Sequence, residues 1–490
     1  MNYKIVVRIN AKILLIEAAF MVPALLISFY CKEELAAAAF GKSILAIAAA
    51  VAVLLLLSRG AKRVFYAREG FVCVGLAWII MSAFGCLPFY LSGEIPHYID
   101  ALFEMVSGFT TTGASIVPDV EKLSKGILYW RSFSHWIGGM GVLVFLLAIA
   151  PSDKKSGGFS LHLLRAESPG PSVGKIVPKM RQTAMILYVM YVALTMLDVI
   201  FLMSGGMSPF ESFCHAFGTA GTGGFGVKSD SFAGYSPYLQ NVTTVFMILF
   251  GVNFTCYYLL LTKQFSAVLF DEELRLYIGT IIVSTVLISL DVGKMYGSLE
   301  ETLRTVAFQV GSIITTTGYA TADFDKWPSF SKSIILFLMI MGACAGSTGG
   351  GMKCSRALIL FKTLRRNIHQ LLHPQRVQVV RINNRTVSET VLANTNSYLA
   401  AYVMIIAASV LIVSMDGFSF EANFSAVLCT FNNIGPGLAE VGPTCNFSAY
   451  GVLSKCVLIL GMLLGRLEIF PILVLFSGST WHWGLKRRGN

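Results

Sequence analysis

The chain has 490 residues, of which 55% are hydrophobic and only 13% charged, where a soluble globular chain carries about 25% charged residues. A soluble fold of this length would lack the polar surface it needs, so lipid is the expected solvent for much of it. The net charge of +11 does not point to nucleic acid, because the basic residues are spread over several short loops and do not gather on one face.

Long apolar runs follow one another along the chain: 13–30, 43–57, 71–92, 141–150, 183–203, 243–262, 277–290, 333–345, 398–414 and 456–478. A spanning helix needs roughly 20 such residues, fewer where flanking side chains snorkel, so about ten spans fit. The first run follows Lys4, Arg8 and Lys12 but is longer than a secretory-signal core and has no small-x-small cleavage site, so it reads as a retained first helix. Most Lys and Arg residues fall in alternate segments, namely the start to Lys12, 59–68, 151–181, 262–275, 353–385 and 486–488. That is the positive-inside pattern, and it predicts both termini in the cytoplasm. The ten cysteines are scattered, mostly within apolar runs, with no C-x-x-C spacing; neither a metal site nor a disulfide framework is indicated.

Four short Thr/Asn/Gly segments interrupt the apolar pattern: Thr110-Thr-Thr-Gly-Ala-Ser115, Ala220-Gly-Thr-Gly-Gly-Phe225, Thr315-Thr-Thr-Gly-Tyr-Ala320 and Asn432-Asn-Ile-Gly-Pro-Gly437. Aligned on Gly113, Gly223, Gly318 and Gly435, they recur at roughly hundred-residue intervals, the mark of an internal repeat. In each unit an apolar span comes first, then a short amphipathic stretch (99–109, 209–218, 300–314, 420–431), the Thr/Gly element, a polar linker and a second span. Asp100, Glu211, Glu300 and Glu421 stand near the starts of the short stretches, where a carboxylate complements the positive end of a helix dipole. These stretches read as half-helices that dip into the bilayer and return.

Non-helical backbone survives at membrane depth only when buried in protein or lining a wet cavity. Four copies on one side of the membrane can ring an axis and offer carbonyl oxygens in place of a cation's hydration shell. The predicted ion-holding residues are Thr111, Thr112 and Gly113; Gly221, Thr222 and Gly223; Thr316, Thr317 and Gly318; and Asn433, Ile434 and Gly435. The predicted fold is all-α and membrane-integral: four parallel membrane–pore-loop–membrane repeats in pseudo-fourfold arrangement around a central pore, after two extra N-terminal helices. The boundaries are 1–60 for the leading helices, then 61–152, 153–264, 265–365 and 366–490 for the repeats.

Two further features bear on gating. Gly346, Ser347, Thr348, Gly349, Gly350 and Gly351 interrupt the second span of the third unit. Each helical glycine costs about 1 kcal/mol relative to alanine, so the helix should unwind there and could obstruct the pore. Arg466 sits near the middle of the run 456–478, where insertion of an arginine costs about 2.5–3.5 kcal/mol. It reads as a fixed positive charge below the ion-holding segments, or as a structural partner of Glu468 or a carbonyl. His135 and Trp136 read as packing or interfacial residues, and the basic stretch 353–385 as a cytoplasmic face suited to docking.

The repeat segments, together with His135-Trp-Ile-Gly-Gly-Met-Gly141, Glu167-Ser-Pro-Gly-Pro171, Gly346-Ser-Thr-Gly-Gly-Gly351 and Gly465-Arg-Leu-Glu468, make the chain resemble the TrkH-type potassium uptake subunits, in the superfamily with KtrB and the plant HKT transporters. The resemblance covers essentially the whole chain. It implies potassium as the transported ion with no covalent cofactor, a selectivity filter at the four glycines, and a gate at Gly346–Gly351 with Arg466. It further implies a homodimer in the bacterial inner membrane and a cytosolic TrkA-type NAD- or ATP-binding regulatory subunit. The second segment has Ala220 and Gly221, and the fourth has Asn432, Asn433 and Ile434, where others have hydroxyls. Fewer hydroxyls would mean a less symmetrical site and more modest discrimination between potassium and sodium.

Rival classes predict other patterns. A secondary cation symporter, coupling potassium to protons or sodium, predicts inverted repeats, whereas these four units run in one direction. A membrane enzyme needs a convergent nucleophile, base or metal cluster, and the histidines are dispersed with no H-E-x-x-H or G-x-S-x-G.

Overall fold

A computed structural model describes residues 1–60, 66–141, 180–376 and 378–481. The Glu167–Pro171 motif, all but the first residue of the run 141–150, most of the basic segment 151–181, and the segment 486–488 lie outside the described residues.

The chain is helical throughout, apart from one two-stranded hairpin among the described residues. Helices α1 (Tyr3–Tyr30) and α2 (Glu34–Leu57) lead. The first unit comprises α3 (Ala67–Gly85), α4 (Leu87–Leu91), the short α5 (Tyr98–Phe109) and α6 (Lys125–Met140). The second comprises α7 (Met180–Ser204), the short α8 (Pro209–Gly221), α9 (Pro237–Phe250) and α10 (Phe254–Leu261). After α11 (Phe265–Leu269), the third unit holds α12 (Glu272–Val292), the short α13 (Leu299–Ile314), α14 (Ser329–Met341) and α15 (Cys354–Leu372). A hairpin of β1 (Arg381–Ile382) and β2 (Arg385–Thr386) precedes the fourth unit. That unit holds α16 (Glu389–Val413), the short α17 (Phe420–Phe431), α18 (Val452–Arg466) and α19 (Phe470–Phe476), and α20 (Gly478–Trp481) ends the described chain.

Six helices among the described residues are long and apolar enough to cross a membrane. They are α1, α2, α3 with α4, α7, α12 and α16, so each repeat opens with an unbroken crossing. The ten apolar runs do not become ten straight spans, because the second crossings of units two, three and four are broken. Helices α9 and α10 meet at 90°. The segment 342–353 parts α14 from α15, and positive φ at Glu468 (56°) and Ile469 (68°) parts α18 from α19. Outward-facing apolar side chains such as Leu45, Leu57, Ile282, Leu290, Met404 and Leu411 are exposed, as expected where lipid is the solvent.

The short helices start where their residues dictate. Ser208, Ser298 and Ser419 accept hydrogen bonds from the backbone amides of Glu211, Glu301 and Ala422 at 3.3, 3.1 and 3.2 Å, satisfying donors that a helix start leaves orphaned. The acidic residues near these starts do more than face a dipole. Asp100 pairs with Lys455 of α18 at 2.7 Å, and Glu421 with Lys332 of α14 at 3.2 Å. Each of these pairs fastens a short helix to the broken crossing of an adjoining element.

Candidate functional site

All four short helices end in one hydrogen-bonded pattern. The amides of Thr112, Gly223, Thr317 and Ile434 donate to the carbonyls of Ser107, Gly218, Ser312 and Cys429 at 2.8, 2.8, 2.8 and 2.9 Å. The amides one residue earlier, of Thr111, Thr222, Thr316 and Asn433, donate to Gly108, Thr219, Ile313 and Thr430 at 3.1, 3.1, 3.1 and 3.2 Å. This is the Schellman helix end, which needs one left-handed residue, usually glycine. Here that residue is Thr111 (φ 55°), Thr222 (54°), Thr316 (61°) or Asn433 (55°). A left-handed non-glycine residue costs roughly 1–2 kcal/mol, and four such costs at one place mark a site where side-chain oxygen is worth more than backbone ease.

Two residues later the chain is left-handed again, at Gly113 (φ 77°), Gly224 (79°), Gly318 (84°) and Gly435 (102°). The second unit therefore differs by one position from the sequence alignment. Gly224 repeats the conformation of Gly113, Gly223 stands level with Thr112, Thr317 and Ile434, and Gly221 belongs to the end of α8. Gly223 has no side chain because the His135 ring fills the space a Cβ would enter.

The four segments meet in a closed order. A Cβ on Gly113 would overlap the Gly223 carbonyl, one on Gly224 the Thr317 carbonyl, and one on Gly318 the Ile434 carbonyl. One on Gly435 would lie 2.9 Å from the Thr112 carbonyl oxygen. The contacts thus run from the first unit through the second, third and fourth and back to the first. The same four glycines share one open cavity, whose remaining wall comes from Arg131 of α6 and from the linkers after the glycines, including Lys228, Pro436 and Cys445. Eleven of the twelve residues predicted to hold the ion lie in these loops; Gly221 instead closes α8, and Gly224, outside the predicted set, takes the left-handed position.

Behind three of the four segments a polar side chain seven residues before the left-handed position faces the returning linker; the fourth has Ala426 there. In the first unit it is Glu104, fully buried, which accepts from Ser115 Oγ at 3.0 Å and the Ile116 amide at 3.0 Å. Arg131 from α6, 2% exposed, pairs with Glu104 at 2.6 Å and lies 4.1 Å over the Phe225 ring of the second unit. In the third unit Gln309 Nε2 donates to the Ala322 carbonyl at 3.1 Å, and in the second His215 contacts the Tyr235 hydroxyl at 3.2 Å. His135, read from sequence as a packing residue, bridges two units. Its Nε2 accepts from the Phe225 amide at 3.2 Å and its Nδ1 meets the Gly108 carbonyl at 2.7 Å, which sets the neutral tautomer with hydrogen on Nδ1. On the outer linkers, Asp119 accepts from Ser229 Oγ at 3.3 Å, and Lys122 beside it holds its carboxyl below the usual carboxylate range.

The glycine segment of the third unit lies directly against these loops. The Gly350 amide donates to Thr316 Oγ1 at 2.6 Å, Thr348 Oγ1 donates to the Phe250 carbonyl at 3.2 Å, and the Gly346 carbonyl accepts from the Phe254 amide at 3.0 Å. A Cβ on Gly350 would lie 2.5 Å from the Asn432 carbonyl oxygen, so only glycine permits this approach. Arg466, the last residue of α18, reaches across. Its guanidinium donates to the carbonyls of Thr348 at 2.9 Å and Gly139 at 2.7 Å, and also to Gly138. Glu468 pairs with Arg356 of α15. One arginine thus joins the fourth unit to the glycine segment of the third and to the end of α6 in the first.

A family model described as a cation transport protein, TrkH, matches residues 36–483. The chain belongs to the TrkH family. Trk system potassium uptake proteins TrkH from Salmonella typhimurium and Escherichia coli are 34% and 35% identical to it, each over 98% of this chain and 100% of its own length. The TrkG protein of Escherichia coli is 33% identical over 85% of this chain and 86% of its own. The crystal structure of the potassium transporter TrkH from Vibrio parahaemolyticus superposes with a TM-score of 0.87 at 30% identity, covering 98% of this chain and 100% of that one. This TrkH-family chain is therefore a helical integral membrane protein whose relatives are named as transport proteins. No group of three or more His, Cys, Asp or Glu residues able to hold a metal occurs among the described residues. What the four segments bring near one another is carbonyl oxygen, a ligand type that suits hard cations.

Proposed function

We propose that the chain takes up potassium ions across the bacterial inner membrane through a pore whose selectivity filter is the ring of four Schellman ends. The observation that carries this reading is the closed order of contacts from Gly113 through Gly224 and Gly318 to Gly435. A ring of main-chain oxygens held open by left-handed backbone can replace the hydration shell of a monovalent cation. The ion-holding set is Thr111, Thr112 and Gly113; Thr222, Gly223 and Gly224; Thr316, Thr317 and Gly318; and Asn433, Ile434 and Gly435. The buried oxygens Thr111 Oγ1 and Asn433 Oδ1, which lack hydrogen-bond partners among the described residues, are available to water or the ion. The half-helix ends, with their partial negative charge, aim at the same place.

In this reading the segment Gly346–Gly351 obstructs the pore below the filter, and Arg466 both holds it there and presents a positive barrier to cations. The alternation of basic segments supports cytoplasmic termini. It also makes the stretch 353–385 the docking face for a cytosolic TrkA-type nucleotide-binding subunit. The apolar stripe Phe361, Leu364, Ile368 and Leu371 on α15, at three- and four-residue spacing and exposed, supports a homodimer.

Purified protein in liposomes tests the reading directly. Potassium should cross along its gradient with no second solute present, sodium more slowly, and choline not at all. Transport that stops unless a proton or sodium gradient is imposed would replace the pore with a symporter.

A further inference from the structure

Glu273 is 7% exposed in the first turn of α12 and takes no part in the ring of loops. One of its carboxylate oxygens, Oε1, accepts the Ala345 amide at 2.6 Å and the Ser355 amide at 3.0 Å. These two amides flank the glycine segment on either side. A single buried oxygen therefore closes the base of the loop that carries Gly346–Gly351.

The two residues before Glu273 face the other way, toward the β1–β2 hairpin. Asn383 Oδ1 accepts from the Glu272 amide at 2.9 Å, the Asn383 amide donates to Glu272 Oε1 at 3.2 Å, and Asn383 Nδ2 donates to Asp271 Oδ2 at 2.6 Å. Asn383 and Asn384 are both left-handed, φ 49° and 60°, the two-residue turn that matches the twist of a hairpin. Lys362 of α15 pairs with Glu272 and donates to the Arg381 carbonyl at 2.7 Å. Val380, next to the hairpin, packs with Ile359 and Leu392. The hairpin tip and the glycine loop are thus each hydrogen-bonded to one helical turn, at Asp271 and Glu272 on one side and at Glu273 on the other, with the peptide chain between them.

We propose that Glu273 is the positioning residue of the gate and that the hairpin tip, through Asn383, holds the α12 turn that carries it. The proposal rests on the gate reading of Gly346–Gly351 given above. Four of the six residues of the segment are glycines, with little helical preference and no side chain to anchor them, so beyond the hydroxyls of Ser347 and Thr348 its position depends on bonds from its neighbours. Both loop amides converge on one oxygen of Glu273, so the clamp weakens when the carboxyl group is replaced by an amide, a poorer acceptor for two donors, without loss of shape. Moving Asn383 shifts Asp271 and Glu272, and Glu273 moves with them as the next residue of the same turn.

The test compares basal potassium flux of liposome-reconstituted full-length protein for wild type, E273Q, N383A, the double variant, and a deletion of residues 346–351. E273Q is isosteric and is expected to raise flux about fivefold, the lower end of ordinary coupling between sites. Its potassium-to-sodium ratio should stay that of wild type, which general misfolding would not preserve. N383A is expected to raise flux less, and the double variant to match E273Q alone, as two steps in one series must. If the deletion raises flux while E273Q does not, Glu273 has no positioning role and the gate reading stands. If the deletion itself leaves flux unchanged, the gate reading falls and this proposal falls with it. Additive effects of E273Q and N383A would overturn the link to the hairpin.

Discussion

The side-chain amide of Asn433 donates to the Thr112 hydroxyl at 2.9 Å, joining residues 321 positions apart. The same nitrogen donates to the Met462 carbonyl of α18 at 3.0 Å. Asn433 thus closes the ring between the fourth and first units while occupying the left-handed position of its own helix end. Asparagine tolerates that backbone better than most residues. Asn433→Val removes both bonds and places a β-branched residue at positive φ. The potassium-to-sodium flux ratio is expected to fall roughly tenfold, the loss of a bonding difference of about 1.4 kcal/mol, with ion competition in liposomes as the measurement. An unchanged ratio would show that the fourth unit does not shape the ion site.

Gly224 is the residue of the second unit that repeats the backbone of Gly113. Gly224→Ala meets both a left-handed φ and the Thr317 carbonyl, with a backbone cost alone of roughly 1–2 kcal/mol. Potassium flux should be lost at normal membrane abundance. Equal flux in the variant and wild type would remove the glycine ring as the conducting element.

Breaking the Glu104–Arg131 pair tests the wall behind the first segment. Glu104→Gln leaves a guanidinium buried without its counter-charge, a change that costs roughly 3–5 kcal/mol when a buried pair is broken. The melting temperature of the detergent-solubilised protein should drop. The double variant Glu104→Gln with Arg131→Met should recover part of the loss, since no lone charge remains.

Arg466→Ala removes the bonds to Thr348, Gly138 and Gly139 together with a positive charge on the proposed path. Both effects act in one direction, and flux should rise several-fold, about the 5–150-fold range of ordinary coupling energies. Arg466→Lys keeps the charge but lacks the planar fork that reaches several carbonyls at once. It should give intermediate flux. A properly folded Arg466→Ala variant with reduced flux would assign the arginine to positioning the filter and not to closing the path.

Cys445 is exposed and lines the cavity above the four glycines. A membrane-impermeant cationic thiol reagent added outside should slow potassium flux in the wild type. Cys445→Ser should abolish that effect, although Cys456 is also exposed. Equal inhibition of both proteins would place the cavity away from the path of the ion.

Much of this fold is legible in local sequence because its elements answer to local rules. Ser and Pro start the short helices, apolar length marks the unbroken crossings, and the Thr/Gly segments stop the short helices within a few residues of the predicted positions. The one-residue error in the second segment has a physical cause. Ala220-Gly-Thr-Gly-Gly offers three glycines, and only the bonds from Thr222 to Thr219 and from Gly223 to Gly218 set which one is left-handed. His135 looked like packing for a related reason, since its two partners, Gly108 and Phe225, are far from it in sequence.

The sequence by itself marked the chain as membrane-integral and showed four Thr/Asn/Gly segments recurring at roughly hundred-residue intervals. Periodicity, charge alternation and helix-end chemistry act over a few residues and need no partner. Only the tertiary structure decided that the segments touch in cyclic order, that Arg466 reaches three carbonyls in two other units, and that Glu273 closes the glycine loop. Those relationships depend on contacts between residues roughly seventy or more positions apart or on the direction a side chain takes, and neither is written in the order of residues.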